Sequence, residues 1–493
     1  MKLNILRSGA DRCSPSLYKR AALCSLLFLF AAHAFCFLNL TYSSGSVMLH
    51  VSSGRSAQIA AGQYLQPVYW RIRGSISSPM WVGILSCLYL TITNLLLIFL
   101  LQLTHPVSCF ALCGVMTVNA AVLSICAASL HTADAVFLSL LLASLASVCC
   151  MRVRLGVLPS LVLLTGALAL DPGAAAFFAA LTLIAALSDL LRSPEPKAFA
   201  LSMLRMLLAF AGAALLYLLG YRFLLARNHL DVQTGFLLFG GDPLASWLAP
   251  LRALFAPLTA YPHVNVLIQA LLFIVCVLCL FACWRTYGRA VAALLTLGTL
   301  ALPLFCALRF LSNQPLAQIT PAFCLFDIWI IVLASRFMPE KKQIKMCFAG
   351  AFAALFLGSI VFSNQVYLKK NLEFESTLSL MSRVISRLEE TEGFHPGLTP
   401  VAIIGTPEDS IFSIERKGFE HLSALDAASG NYAIADDMGM IWYSWEIMGY
   451  PLNFVSTYEL EQLKQLSEVQ ALPAFPAENC CTFIGDVLVI RLS

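Results

Sequence analysis

A train of apolar segments between Ala21 and Tyr367 constrains the fold of this chain more than any other feature. Several segments approach the length of a membrane span without a single charge, as in Val264–Cys283 and Met346–Gln365. A bilayer core about 30 Å thick needs roughly 20 such residues per helix, and a chain inside lipid must satisfy its own backbone hydrogen bonds. The sequence therefore predicts a polytopic α-helical membrane protein.

The apolar runs predict about eleven transmembrane helices within the bundle 21–367. Their predicted ranges are 21–40, 80–103, 107–130, 133–150, 155–170, 174–191, 200–225, 264–283, 290–308, 320–337 and 346–366. A cleaved signal peptide is an alternative for the first range, because Ala32-His33-Ala34 resembles an A-x-A cleavage site. The apolar run continues past that site to Leu40, which favours a membrane helix.

Basic residues collect in alternate loops, and this predicts the orientation of the chain. The loops that carry them contain Arg152 and Arg154, Arg192 and Lys197, Arg285 and Arg289, and Lys341, Lys342 and Lys345. The short turns at 131–133 and 171–173 contain no Lys or Arg. Cytoplasmic loops are enriched in Lys and Arg, so residues 1–20 are expected in the cytoplasm. An odd number of crossings then puts the C-terminal part outside.

The C-terminal part, residues 368–493, differs from the bundle in charge. It contains 18 acidic and 8 basic residues, against 9 acidic and 23 basic residues before it. Its patterns predict a small extracytoplasmic α/β domain. The predicted elements are an amphipathic helix Leu372–Glu390, a strand Val401–Gly405 and a capping box at Ser456–Glu459 that opens a helix to about Val469. Thr482–Ile484 and Val487–Arg491 are predicted to form a terminal hairpin or a bulged strand.

The sequence contains no fingerprint of a nucleotide, metal or hydrolase site. P-loop, GxSxG, HExxH and GxGxxG patterns are not placed convincingly, so ATP-driven transport has no support. The 17 cysteines lie mostly within apolar segments and lack paired spacing, which indicates neither a disulfide framework nor a zinc site. No cofactor and no metal are therefore expected.

Two longer outer loops contain most of the remaining candidate functional residues. Loop one, 41–79, contains Arg55, Arg71 and Arg73, whose planar guanidinium groups suit phosphate recognition. Loop two, 226–263, contains Asp242 in a Gly-Gly-Asp-Pro turn. Residues 244–258 are predicted to form an amphipathic helix at the outer interface or, alternatively, a re-entrant or connecting helix. The alternative for each arginine is a helix anchor at the lipid headgroups.

Acidic residues are scarce in the bundle, and an acid at a membrane edge is a functional candidate by default. The outer side is expected to hold Asp134 beside His131, Asp171 in an Asp-Pro-Gly turn, Asp231 and Asp242. Asp327 lies within a segment. Each could instead be a helix cap or a turn residue, because Asp and Pro-Gly favour turns.

Two stretches near the C-terminus, Leu472–Pro476 and Phe483–Ser493, resemble the closing segment of a known family. That family is the Gtr family of bacterial O-antigen glucosyltransferases. Ser53-Gly54-Arg55-Ser56 and Ile76–Met80 are similar to shorter motifs of its first outer loop, and the junction 367–390 is similar as well. The resemblance is loose but runs the full length of the chain.

The resemblance implies a C-type glycosyltransferase fold in the bacterial inner membrane. It implies transfer of glucose from a polyprenyl-phosphate-linked sugar to a polysaccharide acceptor on the outer face. Arg55, Arg71 and Arg73 would then bind the donor phosphate. The lipid bilayer, the donor and the acceptor are the expected partners, and no nucleic acid is expected.

One departure concerns the paired aspartates that the family carries early in loop one. Here the corresponding stretch, 42–45, has Ser43 and Ser44, and a serine without a partner is not a general base. If the protein is an enzyme, the expected catalytic base is Asp171, followed by Asp242 and then Asp134. The alternative is a catalytically degenerate glycosyltransferase or a lipid-linked sugar transporter.

Overall fold

The computed structural model is mostly helical and ends in a small sheet. The structure describes residues 14–39, 55–230, 263–306, 324–337, 342–411, 413–414, 416–422, 425, 430–434 and 437–493. Its helices before the sheet are α1 Pro15–Leu38, α2 Arg55–Ala60, α3 Gln66–Arg73, α4 Pro79–Leu101, α5 Pro106–Thr117, α6 Ala120–Ala128, α7 Leu130–Arg152, α8 Val157–Leu170, α9 Ala174–Arg192, α10 Pro196–Asn228, α11 His263–Thr286, α12 Arg289–Cys306, α13 Cys324–Phe337 and α14 Lys342–Glu389.

Among the described residues, eight helical stretches are long and apolar enough to cross a membrane. In its described residues, each of the predicted apolar ranges overlaps helical backbone. The helices α8, α11 and α13 are not among the eight, so the predicted number of eleven spans stays a prediction. The predicted helix 107–130 is interrupted: Asn119 ends α5 and begins α6. Its Oδ1 accepts hydrogen bonds from the N–H groups of Ala121 and Val122, at 2.9 and 3.0 Å, which is an N-cap inside an apolar run.

The helices pack around α9, and small residues explain why it can lie at the centre. In the apolar 18-residue stretch of α9, 94% of the residues are buried, whereas 17% are buried in the corresponding stretch of α10. Small side chains let helix backbones approach closely where no hydrophobic effect drives their association. The fully buried alanines of α9 include Ala174, Ala175, Ala176, Ala180 and Ala185. The leucines of α10 instead remain largely exposed, as expected of a lipid-facing helix.

The bundle has two chemically different ends. At the basic end, defined by residues 101–106, 152–157, 192–196 and 286–289, Arg192 donates to the Gln102 carbonyl oxygen at 3.2 Å. Arg152 pairs with Asp189 at 2.8 Å at the same end. The opposite end, here called the distal end, contains the turns after α6 and α8 together with α2 and α3.

The domain that follows the bundle is built on α14 and four strands. The strands are β1 Pro400–Ile404, β2 Asn453–Phe454, β3 Cys481–Ile484 and β4 Val487–Arg491, in the order β2-β1-β4-β3. β1 is parallel to β2 and β4, whereas β3 and β4 form the predicted antiparallel hairpin. The predicted strand 401–405 is confirmed as β1, and β2 was not predicted.

Helices cover both faces of this sheet because its side chains alternate. Val401 and Ile403 of β1 pack with Met381 and Leu388 of α14. The remaining helices are α15 Asp437–Trp442, α16 Thr457–Lys464 and α17 Ser467–Gln470, and α16 and α17 cover the other face through residues such as Leu460. The capping box at Ser456 and Glu459 is present as predicted. The single predicted helix to Val469 is divided, because α16 ends at Lys464.

The boundary expected between bundle and domain, at 367–368, lies inside a continuous helix. The last apolar range and the predicted amphipathic helix 372–390 are one helix, α14. Tyr367 is buried in the part of α14 that packs in the bundle. Its hydroxyl lies 2.6 Å from Nδ1 of His33 on α1. His33 Nε2 in turn lies 3.0 Å from the Thr117 carbonyl oxygen, so this contact ties α1, α5 and α14 together.

Candidate functional site

The short helices α2 and α3 lie against the distal end and are fixed there by hydrogen bonds. The Leu65 N–H donates to the Ala169 carbonyl oxygen at 2.9 Å, and Gln66 Nε2 donates to the Leu170 carbonyl oxygen at 2.9 Å. Tyr217 of α10 donates to the Gly62 carbonyl oxygen at 2.8 Å. The two short helices are therefore a built part of the distal surface.

Gly62 makes this docking possible. Its φ is +84°, a region that glycine enters without steric strain. A Cβ at this position would also lie 2.4 Å from the Tyr217 hydroxyl oxygen. Tyr217 stacks between Tyr64 and Tyr221, with ring centroids 5.5 and 6.2 Å apart. These tyrosines form an aromatic wall next to the α8–α9 turn.

Asp171 lies in that turn, between α8 and α9, next to the aromatic wall. Burial raises the pKa of the Asp171 carboxyl above its ordinary value, while hydrogen bonds from the Gly173 backbone N–H and the Gln63 side chain oppose the shift. Among the described residues, no Lys, Arg or His lies within ion-pair distance of it. Asp171 is thus a half-buried carboxylate without a cationic partner, which is the environment of a general base.

Asp134 has the opposite environment. It lies in the first turns of α7, where the sequence had suggested a turn, and both its side chain and that of Arg73 are fully buried. Arg73 Nη1 donates to Asp134 Oδ1 at 2.7 Å, and the Tyr69 hydroxyl donates to Asp134 Oδ2 at 2.8 Å. Burial, together with the neighbouring Asp134 carboxylate, raises the pKa of Tyr69, which keeps this hydroxyl a donor.

The Arg73–Asp134 pair holds α3 on the bundle. Arg73 also donates to the His131 carbonyl oxygen at 3.1 Å and to the Ser77 hydroxyl oxygen at 2.9 Å. For Arg73 to bind a phosphate, or for Asp134 to act as a base, each would have to give up a buried partner. Both expected roles remain predictions, and this pairing opposes them.

The other predicted residues divide between accessible positions and positions outside the described ranges. Arg55 begins α2 and Arg71 lies in the last turn of α3, and both are exposed at the distal end. Asp242, Asp231, the predicted helix 244–258 and the Ser43-Ser44 pair lie outside the described residues. Asp327 lies in the first turn of α13.

Sequence reasoning missed the tyrosines and amides that surround Asp171. Gln63, Tyr217 and Tyr221 come from loop one and from a lipid-facing helix far along the chain, so only tertiary structure unites them. Two hydroxyl groups in a mainly apolar stretch of α10 were the available signal for Tyr217 and Tyr221. In the described parts of the chain no group of three His, Cys, Asp or Glu side chains could hold a metal ion.

Comparisons of the chain with protein-family models, with curated proteins and with solved structures find no match.

Proposed function

We propose that this protein is a membrane glycosyltransferase that moves glucose from a polyprenyl-phosphate donor to a cell-surface polysaccharide. The observation that carries the proposal is Asp171, a carboxylate without a described cationic partner at the distal end, where α2 and α3 carry the exposed Arg55 and Arg71. The resemblance of the loop-one and C-terminal motifs to O-antigen glucosyltransferases supplies the donor and acceptor classes. The bacterial inner membrane is the corresponding location.

The chemistry assigned to this surface is a displacement at the anomeric carbon of the donor sugar. The Asp171 carboxylate accepts the proton of the acceptor hydroxyl, whose oxygen bonds to the anomeric carbon as the bond to the phosphate oxygen breaks. Polyprenyl phosphate leaves with the electron pair. Arg55 and Arg71 stabilise its charge, because guanidinium groups match phosphate oxygens in a planar fork.

The test of this function is direct transfer. Purified protein in lipid nanodiscs is incubated with radiolabelled polyprenyl-phosphate-glucose and a panel of surface polysaccharides, and label in the polysaccharide is counted. Transfer that depends on the protein supports the enzyme. Translocation of the labelled lipid across a sealed vesicle without transfer would favour the alternative, a transporter, which the Ser43-Ser44 replacement in loop one supports.

The orientation that this function requires gives a first prediction. Eleven crossings with the N-terminus inside put the domain 368–493 on the outer face, and the gathering of Arg152 and Arg192 at one end supports this orientation. An alkaline phosphatase fusion after Ser493 is expected to be active, because this reporter matures only outside the cytoplasm. A fusion after Arg154 is the inactive control. Activity of the second fusion alone would reverse the topology.

A second prediction concerns the donor phosphate. Arg55→Ala and Arg71→Ala are each expected to weaken binding of polyprenyl-phosphate-glucose by about tenfold or more, which is the loss of one charge-assisted hydrogen bond. Lysine at either position should restore only part of the affinity, since it keeps the charge and loses the fork. Arg154→Ala at the basic end removes an exposed charge as the matched control. Unchanged affinity in both alanine variants would contradict the assignment.

A further inference from the structure

A cavity of about 650 Å³ opens in the C-terminal domain beside its junction with the bundle. Its lining combines α14 with the segments that follow β1, namely Ser376, Ile414, Arg416, Lys417, Asn431 and Tyr432. We propose that this cavity binds a phosphate monoester, such as the headgroup of an anionic lipid. The site is distinct from the surface around Asp171 and takes no part in the proposed transfer chemistry.

The position of the cavity along α14 corresponds to the level of lipid headgroups. From Met346 to Leu368 the helix carries no charge, a length of roughly 34 Å at 1.5 Å per residue. Lys369 and Lys370 are the first charges beyond it. Arg416 Nη2 donates to the carbonyl oxygen of Leu372 at 3.1 Å, within one turn of those lysines. A polar group bound at Arg416 would therefore lie just beyond a hydrocarbon core of about 30 Å.

Arg416 is held in place by hydrogen bonds to neutral groups, while the buried Glu373 carboxylate lies near enough to interact with its charge. Its guanidinium donates to the Leu372 carbonyl oxygen, to the Ser376 hydroxyl and to the Asn431 carbonyl oxygen, the last at 3.4 Å. Among the described residues no carboxylate lies within ion-pair distance of it. A fixed guanidinium without a paired carboxylate is a preformed anion site.

The neighbouring charges add to this positive field. Lys417 is exposed next to Arg416, and no described carboxylate pairs with it. Behind the cavity, Lys369 and Lys370 both lie near the carboxylate of Glu373, at 3.6 and 2.8 Å. Two other described carboxylates offset part of this field: Glu408, whose Oε1 accepts from the Tyr432 N–H at 2.7 Å, and Glu420, whose Oε2 accepts from the Gly418 N–H at 2.8 Å. The four described cations still outnumber the three described carboxylates. The described charges around the cavity therefore favour an anion.

The apolar rim of the cavity indicates where that anion comes from. Ile414 in the lining and Ile411 close by are 73% and 69% exposed. Exposed aliphatic side chains beside basic ones, at headgroup level, fit an interface that buries apolar groups and attracts anionic lipid. Asn431 and Tyr432 add hydrogen-bonding groups to the same lining. An anionic lipid can contact both the basic residues and the apolar rim, whereas free phosphate can contact only the basic residues.

The test is calorimetric titration of the full-length protein in detergent micelles. Short-chain phosphatidic acid is the lipid probe, inorganic phosphate is the free-anion probe, and short-chain phosphatidylcholine lacks the monoester. Phosphatidic acid is expected to bind, phosphate to bind more weakly at the same site, and phosphatidylcholine not to bind. Equal affinities for phosphatidic acid and phosphate would overturn the lipid source. Equal binding of all three probes, or binding of none of them, would overturn the site.

Variants separate this cavity from general surface charge. Lys417→Gln is expected to weaken phosphatidic acid binding by about tenfold, the loss of one charge-assisted contact. Lys464→Gln removes the same charge from α16, where Lys464 pairs with Glu461 at 2.8 Å, and should leave binding unchanged. Because Arg416 also bridges structural elements, Arg416→Lys is used in place of a neutral variant. Equal binding by Lys417→Gln and wild type would overturn the proposal, whether or not glucose transfer is observed.

Discussion

Asp134→Asn is expected to destabilise the protein by about 3–5 kcal/mol, the usual loss when one partner of a buried ion pair is removed. The variant leaves the Arg73 guanidinium buried with its charge uncompensated, because both side chains of the pair are fully shielded from solvent. The hydrogen bond from the Tyr69 hydroxyl to the lost charge weakens as well. Denaturant unfolding of the purified protein in detergent measures the free energy directly.

The Arg152–Asp189 pair provides the matched control. It has the same chemistry at the basic end, but its side chains are 20% and 35% exposed. Asp189→Asn is therefore expected to cost at most about 1 kcal/mol, since solvent screens exposed pairs. A second control is Arg73→Met with Asp134→Leu, which removes both charges and should recover most of the stability. Equal losses in Asp134→Asn and Asp189→Asn would contradict the structural role of the buried pair.

This pair also shows what the sequence could not predict. Arg73 and Asp134 were both recognised as candidates because charged groups are scarce in the bundle, but each was assigned a separate functional role. They are 61 residues apart, on α3 and α7, and no periodicity links them. Their contact depends on how the loop-one helices dock, which in turn depends on Gly62 and Tyr217. Local sequence patterns carry no information on such docking.

The fold was predicted best where one physical requirement dominates. The length and apolarity of the membrane segments follow from the bilayer, and the hairpin of β3 and β4 follows from the two β-prone runs that flank Gly485-Asp486. The missed features depend on single groups or on tertiary pairing. Asn119 divides one apolar range into α5 and α6, and β2 is two residues long and pairs only because β1 is already in place.

Asp171→Asn is expected to lower glucose transfer by about 10²–10⁴-fold, which is the usual contribution of a general base. The substitution keeps the size of the side chain and removes its ability to accept a proton. Donor binding should remain intact, because that role is assigned to Arg55 and Arg71. Transfer is measured with saturating donor and acceptor, so that the turnover rate alone is compared. Full turnover in this variant, together with loss in Asp242→Asn, would move the base to loop two.

The pH dependence distinguishes a base from a structural carboxylate. Because burial raises the Asp171 pKa, the ionised form that accepts the proton appears only at higher pH than for an ordinary carboxyl, and transfer should rise through that pKa. The stability of the fold changes with pH in the opposite direction. A carboxyl whose pKa is raised on folding stabilises the protein at pH values below its unfolded-state pKa. This contribution is lost as the pH rises through the folded-state pKa.

The Asp171→Asn variant has no charge to desolvate at this position. Its melting temperature should therefore increase relative to that of wild type as the pH rises. Asp134→Asn is expected to melt lower than wild type at neutral pH, because it leaves the buried Arg73 guanidinium without its carboxylate partner. If the neutral isostere stabilises the fold and abolishes turnover, the carboxylate has a role in the reaction and not in stability. A loss of stability in Asp171→Asn that matches the loss in Asp134→Asn would instead make Asp171 a structural residue, and the base would then have to be sought in loop two.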